Sequence, residues 1–244
     1  MTEASVVLFP TCVVEAVRPA VGRAARRVLE RLGYRVREAR RATCCGQPAW
    51  NAGFAAEAAR VAATTCDALA RADGVVCVPS GSCTTMIRLY WPEMFRLAGD
   101  PGRADAAAAL AGRVREFSEV VAGHRIAGRF DAAVAQHRSC HMTRELGIVA
   151  QPAAVLDALD GVRRVPWAED LCCGFGGTFS IKQPEIAVAM ADAKIDSLQG
   201  AAPDAVVGCD QSCLAHLEGR MRRRGIGVAV RHLAEVLDEA MEPG

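Results

Sequence analysis

Short apolar runs alternate with amphipathic stretches along the chain, and this alternation predicts an α/β fold. Val6–Phe9 is an apolar run ending in Pro10-Thr11-Cys12, the pattern of a buried strand feeding a turn. From Pro19 the positions Val21, Ala25, Val28, Leu29 and Leu32 fall on one helical stripe, and Gly33 suits the stop. Tyr34–Arg37 alternates as a strand does. An alanine-rich helix is predicted over Phe54 to Ala72, and Val75–Val78 reads as the next strand. The second half echoes the first, with a strand at Ala132–Gln136, helices near Ala153–Leu159 and Pro184–Leu198, and a strand at Ala205–Val207. Strands alternating with helices imply parallel βαβ units.

The cysteines turn this echo into a repeat. Cys12, Cys44 and Cys45 recur 128 residues later as Cys140, Cys172 and Cys173, with Gly46 matching Gly174 and Gly33 matching Gly161. A two-residue insertion then carries Ser82-Cys83 onto Ser212-Cys213. Two copies of one pattern in the same order signal a duplication. The expectation is two pseudo-symmetric lobes of βαβ units with parallel sheets, residues 1–126 and 127–244, joined in the Arg125–Arg129 region.

Composition narrows the chemistry. A net charge of +1 over 244 residues gives no reason to expect a nucleic-acid partner. Arginine carries almost all the positive charge, with lysine only at Lys182 and Lys194, which reads as compositional bias. Met1-Thr2-Glu3-Ala4-Ser5 has no basic leader character, and Val6–Phe9 is too short to span a membrane. The expected location is the cytoplasm, where eleven cysteines point to metal or redox chemistry rather than disulfides.

Cys12, Cys83, Cys140 and Cys213 each follow a predicted strand and precede or open a helix, the sheet edge where α/β sites are built. Adjacent Cys44 and Cys45 cannot face one ligand from a regular strand, so a bend at Gly46, and likewise at Gly174, is required. Four cysteines per repeat suit a 4Fe–4S or 2Fe–2S cluster, one or two in all. They also suit structural zinc in one lobe, although neither repeat has a Cys-x-x-Cys knuckle. Cys66 and Cys77 read as core fillers, whereas Cys209, His137 and His141 stand close enough in sequence to be candidate ligands or rim residues. Gly176-Gly177 reads as close backbone approach to a cluster, and Arg222-Arg223-Arg224 as a solvated helix end.

Three segments together carry a resemblance: Thr43-Cys44-Cys45-Gly46-Gln47-Pro48-Ala49, Pro79-Ser80-Gly81-Ser82-Cys83, and Cys172-Cys173-Gly174-Phe175-Gly176-Gly177-Thr178-Phe179-Ser180. Over nearly the whole chain the sequence resembles the lactate-utilization protein A family, within the wider CCG cysteine-rich group that also includes a component of heterodisulfide reductase. The resemblance implies a cytoplasmic iron–sulfur subunit of a three-protein complex that oxidises L-lactate to pyruvate. Its companions would be a ferredoxin-type iron–sulfur subunit and a third, small subunit. It implies Cys12, Cys44, Cys45 and Cys83 in one lobe, and Cys140, Cys172, Cys173 and Cys213 in the other, as metal ligands. Where the wider group ends each repeat in Cys-x-x-Cys, this chain has Ser80 and Asp210 as the first of the pair. An ordinary 4Fe–4S cluster is therefore expected, with Ser80 and Asp210 bonding near it or capping the following helices. Two other function classes stay open: thiol–disulfide chemistry at a cluster, and a zinc-stabilised interaction scaffold.

Overall fold

The computed structural model describes residues 4–242, so the Met1–Glu3 part of the amino-terminal reading and the last two residues lie outside it. Each half of the chain forms a four-stranded, wholly parallel sheet. The first comprises β1 (Ser5–Leu8), β2 (Arg35–Glu38), β3 (Val75–Val78) and β4 (Val114–Glu116) in the order β2-β1-β3-β4. The second comprises β5 (Arg129–His137), β6 (Asp160–Arg164), β7 (Ala205–Gly208) and β8 (Ala229–His232) in the equivalent order β6-β5-β7-β8. These are the two pseudo-symmetric α/β lobes that the repeat predicts.

The central strands form where the apolar runs are. Val6 pairs with Val75 and Leu8 with Cys77, and all of Val6–Phe9 is buried. The helix Ala20–Arg31 buries Val21, Ala25, Val28 and Leu29, the stripe read from the sequence, and ends before Gly33 at φ 86°. The pattern does not announce β4, β6 and β8. They are edge strands, and β6 (Asp-Gly-Val-Arg-Arg) is almost wholly exposed, so its residues answer to solvent rather than to a core.

Three apolar clusters hold the layers together. One outer cluster fills the first lobe around Phe9, Trp91 and Phe95, and another fills the second around Ile195, Leu214 and Leu217. The third is shared. Val6, Leu8, Val28 and Phe117 of the first lobe pack with Val134, Leu156, Leu233 and Leu237 of the second. The packing is reciprocal: helix Leu233–Ala240 lies on helix Ala20–Arg31, while helix Phe117–Ala122 lies on helix Ala150–Asp157. Asp238, 6% exposed, ties the first of these contacts by pairing with Arg27 and with Arg31 at 2.9 Å. Since each lobe covers one apolar face of the other, neither buries its core alone.

Candidate metal centre

In each sheet the chain leaves the first strand toward one neighbour and later returns to the other, which opens a crevice at the strands' carboxyl ends. The repeat cysteines lie there. Cys12 opens the helix Cys12–Val17 after β1, and Cys83 lies in the helix Gly81–Thr85 after β3. Cys140 precedes the π-helical turn His141–Glu145 after β5, and Cys213 lies in the helix Gln211–Arg223 after β7. Thr11, buried just before Cys12, holds φ 77° and ψ 152°, a conformation that costs a non-glycine residue about 1–3 kcal/mol and that presents the cysteine.

The Cys-Cys pairs sit on bent loops after β2 and β6. Gly46 and Gly174 take φ 84° and 86°, and a Cβ there would stand 2.6 Å from the Ala58 carbonyl and 2.4 Å from the Ala187 carbonyl. Only glycine lets these loops press onto the helices Ala55–Ala70 and Pro184–Asp196. Each glycine also donates its N–H to the first sulfur of its pair, Cys44 or Cys172, at 3.4 Å. Phe175 N–H reaches Cys173 at 3.5 Å.

The structure brings the eight repeat cysteines into two groups of four. In the first, the sulfurs of Cys45 and Cys83 stand 3.3 Å apart, and Cys12 and Cys44 line the same cavity beside them. In the second, the sulfurs of Cys173 and Cys213 lie within 4.8 Å of one another, and Cys140 and Cys172 are near enough to shift each other's ionisation. Cys44 accepts from Cys12 and Cys45, then from backbone N–H groups, and its pKa falls to about 3. Cys172, bonded by Cys140 and Cys173, falls to about 2. The donating thiols Cys12 and Cys140 are pushed up by those same bonds and by burial. Each group thus holds a thiolate, the metal-binding form, with further thiols around it.

Ser80 and Asp210 are helix caps at the seam between the lobes. Ser80 Oγ accepts from Cys83 N at 3.4 Å. Asp210 accepts from Ser212 N at 3.3 Å and, across the seam, from Ser82 N at 2.8 Å. Burial pushes Asp210 up, but the bonds from Ser212 and Ser82 outweigh it and hold the carboxyl below its ordinary range. Both residues also line a cavity of about 270 Å³ over the first group, beside Cys12, Cys44, Cys45 and Cys83.

The remaining candidates separate. Cys66 and Cys77 are core residues, and Cys209 packs in the shared core among apolar neighbours. His141 is half-buried, with Nδ1 3.8 Å from Cys140 Sγ and Nε2 3.3 Å from Gln47 Nε2 of the other lobe. His137 is 3% exposed, and its ligand atom lies with those of Cys173 and Cys213 within 4.8 Å of one another. Burial, then Lys194, lowers its pKa to about 3, so it is a neutral imidazole. The Gly176-Gly177 segment reaches across to the first lobe: Phe175, Gly177, Thr178, Ser180 and Ile181 line the cavity beside its four cysteines, while Phe175 N–H bonds Cys173 of its own lobe. Sequence reasoning missed this crossing and the Asp210–Ser82 bond, because both depend on how the lobes dock. It also missed Lys194, whose fully buried ammonium donates to the carbonyls of Ala168, Glu169 and Leu171 at 2.6–3.0 Å and so fixes the chain entering Cys172.

This arrangement, a pair of parallel sheets with one four-sulfur group at each carboxyl edge, defines a duplicated cysteine-rich protein. The model of the CCG cysteine-rich domain matches it twice, at residues 6–88 and 134–218. The chain is 41% identical to lactate utilization protein A of Exiguobacterium sp., over 98% of each chain. It is 38% identical to the protein of the same name from Macrococcus caseolyticus, over 96% of each. The chain belongs to the lactate utilization protein A family. A hypothetical protein from Helicobacter pylori shares the fold, with a TM-score of 0.62 at 10% identity over 99% of this chain and 51% of that one.

Proposed function

We propose that the chain is an iron–sulfur electron-transfer subunit in the oxidation of L-lactate to pyruvate. The observation that carries this reading is the gathering of the four repeat cysteines into one sulfur group in each lobe. The residues present fit such a cluster: thiolate character, N–H groups of Gly46, Gly174 and Phe175 aimed at sulfur, and burial of Cys45, Cys83, Cys173 and Cys213. A bound cluster supplies one-electron chemistry. The protein's part is to hold it through Cys12, Cys44, Cys45 and Cys83, and through Cys140, Cys172, Cys173 and Cys213, and to limit water around it. Ser80 and Asp210 fix the helix starts that carry Cys83 and Cys213. The substrate comes from the relatives, which are named for lactate utilization.

Among the described residues no helix is long and apolar enough to cross a membrane. The working form in this reading is a cytoplasmic complex with a ferredoxin-type iron–sulfur subunit and a third small subunit, without nucleic acid. Lactate-dependent dye reduction tests it. The co-purified set is expected to reduce dye, and the isolated chain is not. Robust turnover by the chain alone would contradict the subunit role.

One observation favours a second reading for a lobe. Cys45 and Cys83 stand 3.3 Å apart, near the roughly 3.8 Å edge of a tetrahedron with 2.3 Å zinc–sulfur bonds. The cavity of about 270 Å³ beside them leaves room for the larger group instead. Metal analysis separates the two.

A further inference from the structure

The two lobes are alike in their cysteines but not in what surrounds them. Just past the end of β1 the first lobe has Phe9, 1% exposed and with no polar side-chain atom to offer. The equivalent residue at the end of β5, 128 positions on, is His137. Its ring is as deeply buried, at 3% exposure, yet neither Nδ1 nor Nε2 has a hydrogen-bond partner. A buried polar group without a partner is a standing penalty that native folds avoid. Here the ring stands beside the buried sulfurs of Cys173 and Cys213, with the three ligand atoms within 4.8 Å of one another.

Two further positions differ in concert. Trp167 replaces Ala39 and Lys194 replaces Cys66 at the same offset. Trp167 meets His137 edge-on at 6.4 Å between centroids, and the Lys194 ammonium lies 4.2 Å from the Trp167 ring. The second lobe is therefore rebuilt around an imidazole. Gln136 Oε1 and Ser139 Oγ, also buried and unpartnered, line one small cavity with His137.

We propose that His137 is a ligand of the second lobe's metal centre, bound through a ring nitrogen at the Cys173–Cys213 side of the sulfur group. That centre is then a mixed thiolate–imidazole site, whereas the first lobe's is all thiolate. The inference rests on the reading that both groups hold iron–sulfur clusters, and it sets the second lobe's centre apart from the first by a nitrogen donor.

The test uses the full chain purified anaerobically, with and without 15N-labelled histidine, reduced and examined by pulsed electron paramagnetic resonance. Iron and sulfide are measured on the same samples. The expected result is a strongly coupled nitrogen whose signature changes with the histidine label and disappears in His137→Phe. Phenylalanine is the chosen replacement because Phe9 fills the equivalent space in the first lobe. An iron-replete wild-type protein without a histidine nitrogen coupling overturns this inference and leaves the cluster reading standing, even if the variant does not fold. A coupling that persists in His137→Phe overturns it too, by assigning the nitrogen to another histidine. Protein that takes up no iron or sulfide overturns the cluster reading, and this inference with it.

Discussion

The Asp210 carboxylate of the second lobe accepts the Ser82 backbone N–H of the first at 2.8 Å, while capping its own helix through Ser212. Ser82-Cys83 and Ser212-Cys213 are equivalents in the duplication, so one buried carboxylate steadies the starts of both sulfur-bearing helices. Ser80 Oγ adds a further donor at 3.3 Å.

Asp210→Ala takes the carboxylate acceptor from the half-buried N–H groups of Ser82 and Ser212, at a cost of about 1–3 kcal/mol. The expected outcome is lower stability in urea and iron content below half that of wild type, because both lobes are disturbed. Retention of half or more of the iron would show that the carboxylate serves its own lobe alone.

Substitutions at the sulfur groups separate ligands from fillers. Cys45→Ser and Cys173→Ser each remove a sulfur from one group, and each is expected to lower bound iron by roughly half if one cluster of two is lost. Cys66 is fully buried in the first lobe's outer cluster, so Cys66→Ser is expected to cost roughly 1–3 kcal/mol of stability and leave the iron in place. Equal iron loss from all three would contradict the ligand set.

Glu116 carries a pH dependence unrelated to metal. It caps the helix Phe117–Ala122, accepting from Ser118 N at 2.6 Å, yet is fully buried with Oε1 unpartnered. Burial, partly offset by Ser118, raises its pKa from 4.5 to about 8. The folded state thus holds the proton more tightly than the unfolded chain, and stability falls as pH rises from about 4.5 to about 8. Its Glu116→Gln variant is expected to flatten that part of the profile by on the order of a few kcal/mol, measured by urea unfolding from pH 5 to pH 8. Parallel profiles for the two proteins would contradict the assignment.

How far the sequence discloses this molecule depends on the range of the interaction. β1 and β3 are legible because their apolar runs are local, and the helix over Ala20–Arg31 because its stripe is. The cysteine grouping is legible in outline because the duplication keeps Cys12, Cys44, Cys45 and Cys83 in register with their partners. Edge strand β6 is not, since three of its five residues are arginine or aspartate and make no apolar pattern. His137 can be noticed beside Cys140, but its nearness to Cys173 and Cys213 is made by three separate chain crossings at one sheet edge. The Phe175–Ile181 segment shows the limit most clearly. Its glycines read as an approach to sulfur, and only the docking of the lobes decides that the segment lines the cavity beside Cys12 and Cys44.

The central claim is that the two sulfur groups hold iron–sulfur clusters, and metal analysis of the anaerobically purified chain tests it most directly. Iron, acid-labile sulfide and zinc are measured together, with the visible spectrum before and after reduction. The expected result is roughly four iron and four sulfide for each occupied lobe, with a broad visible absorption that bleaches on reduction. Zinc as the only metal, with no uptake of iron and sulfide on reconstitution, would contradict the account.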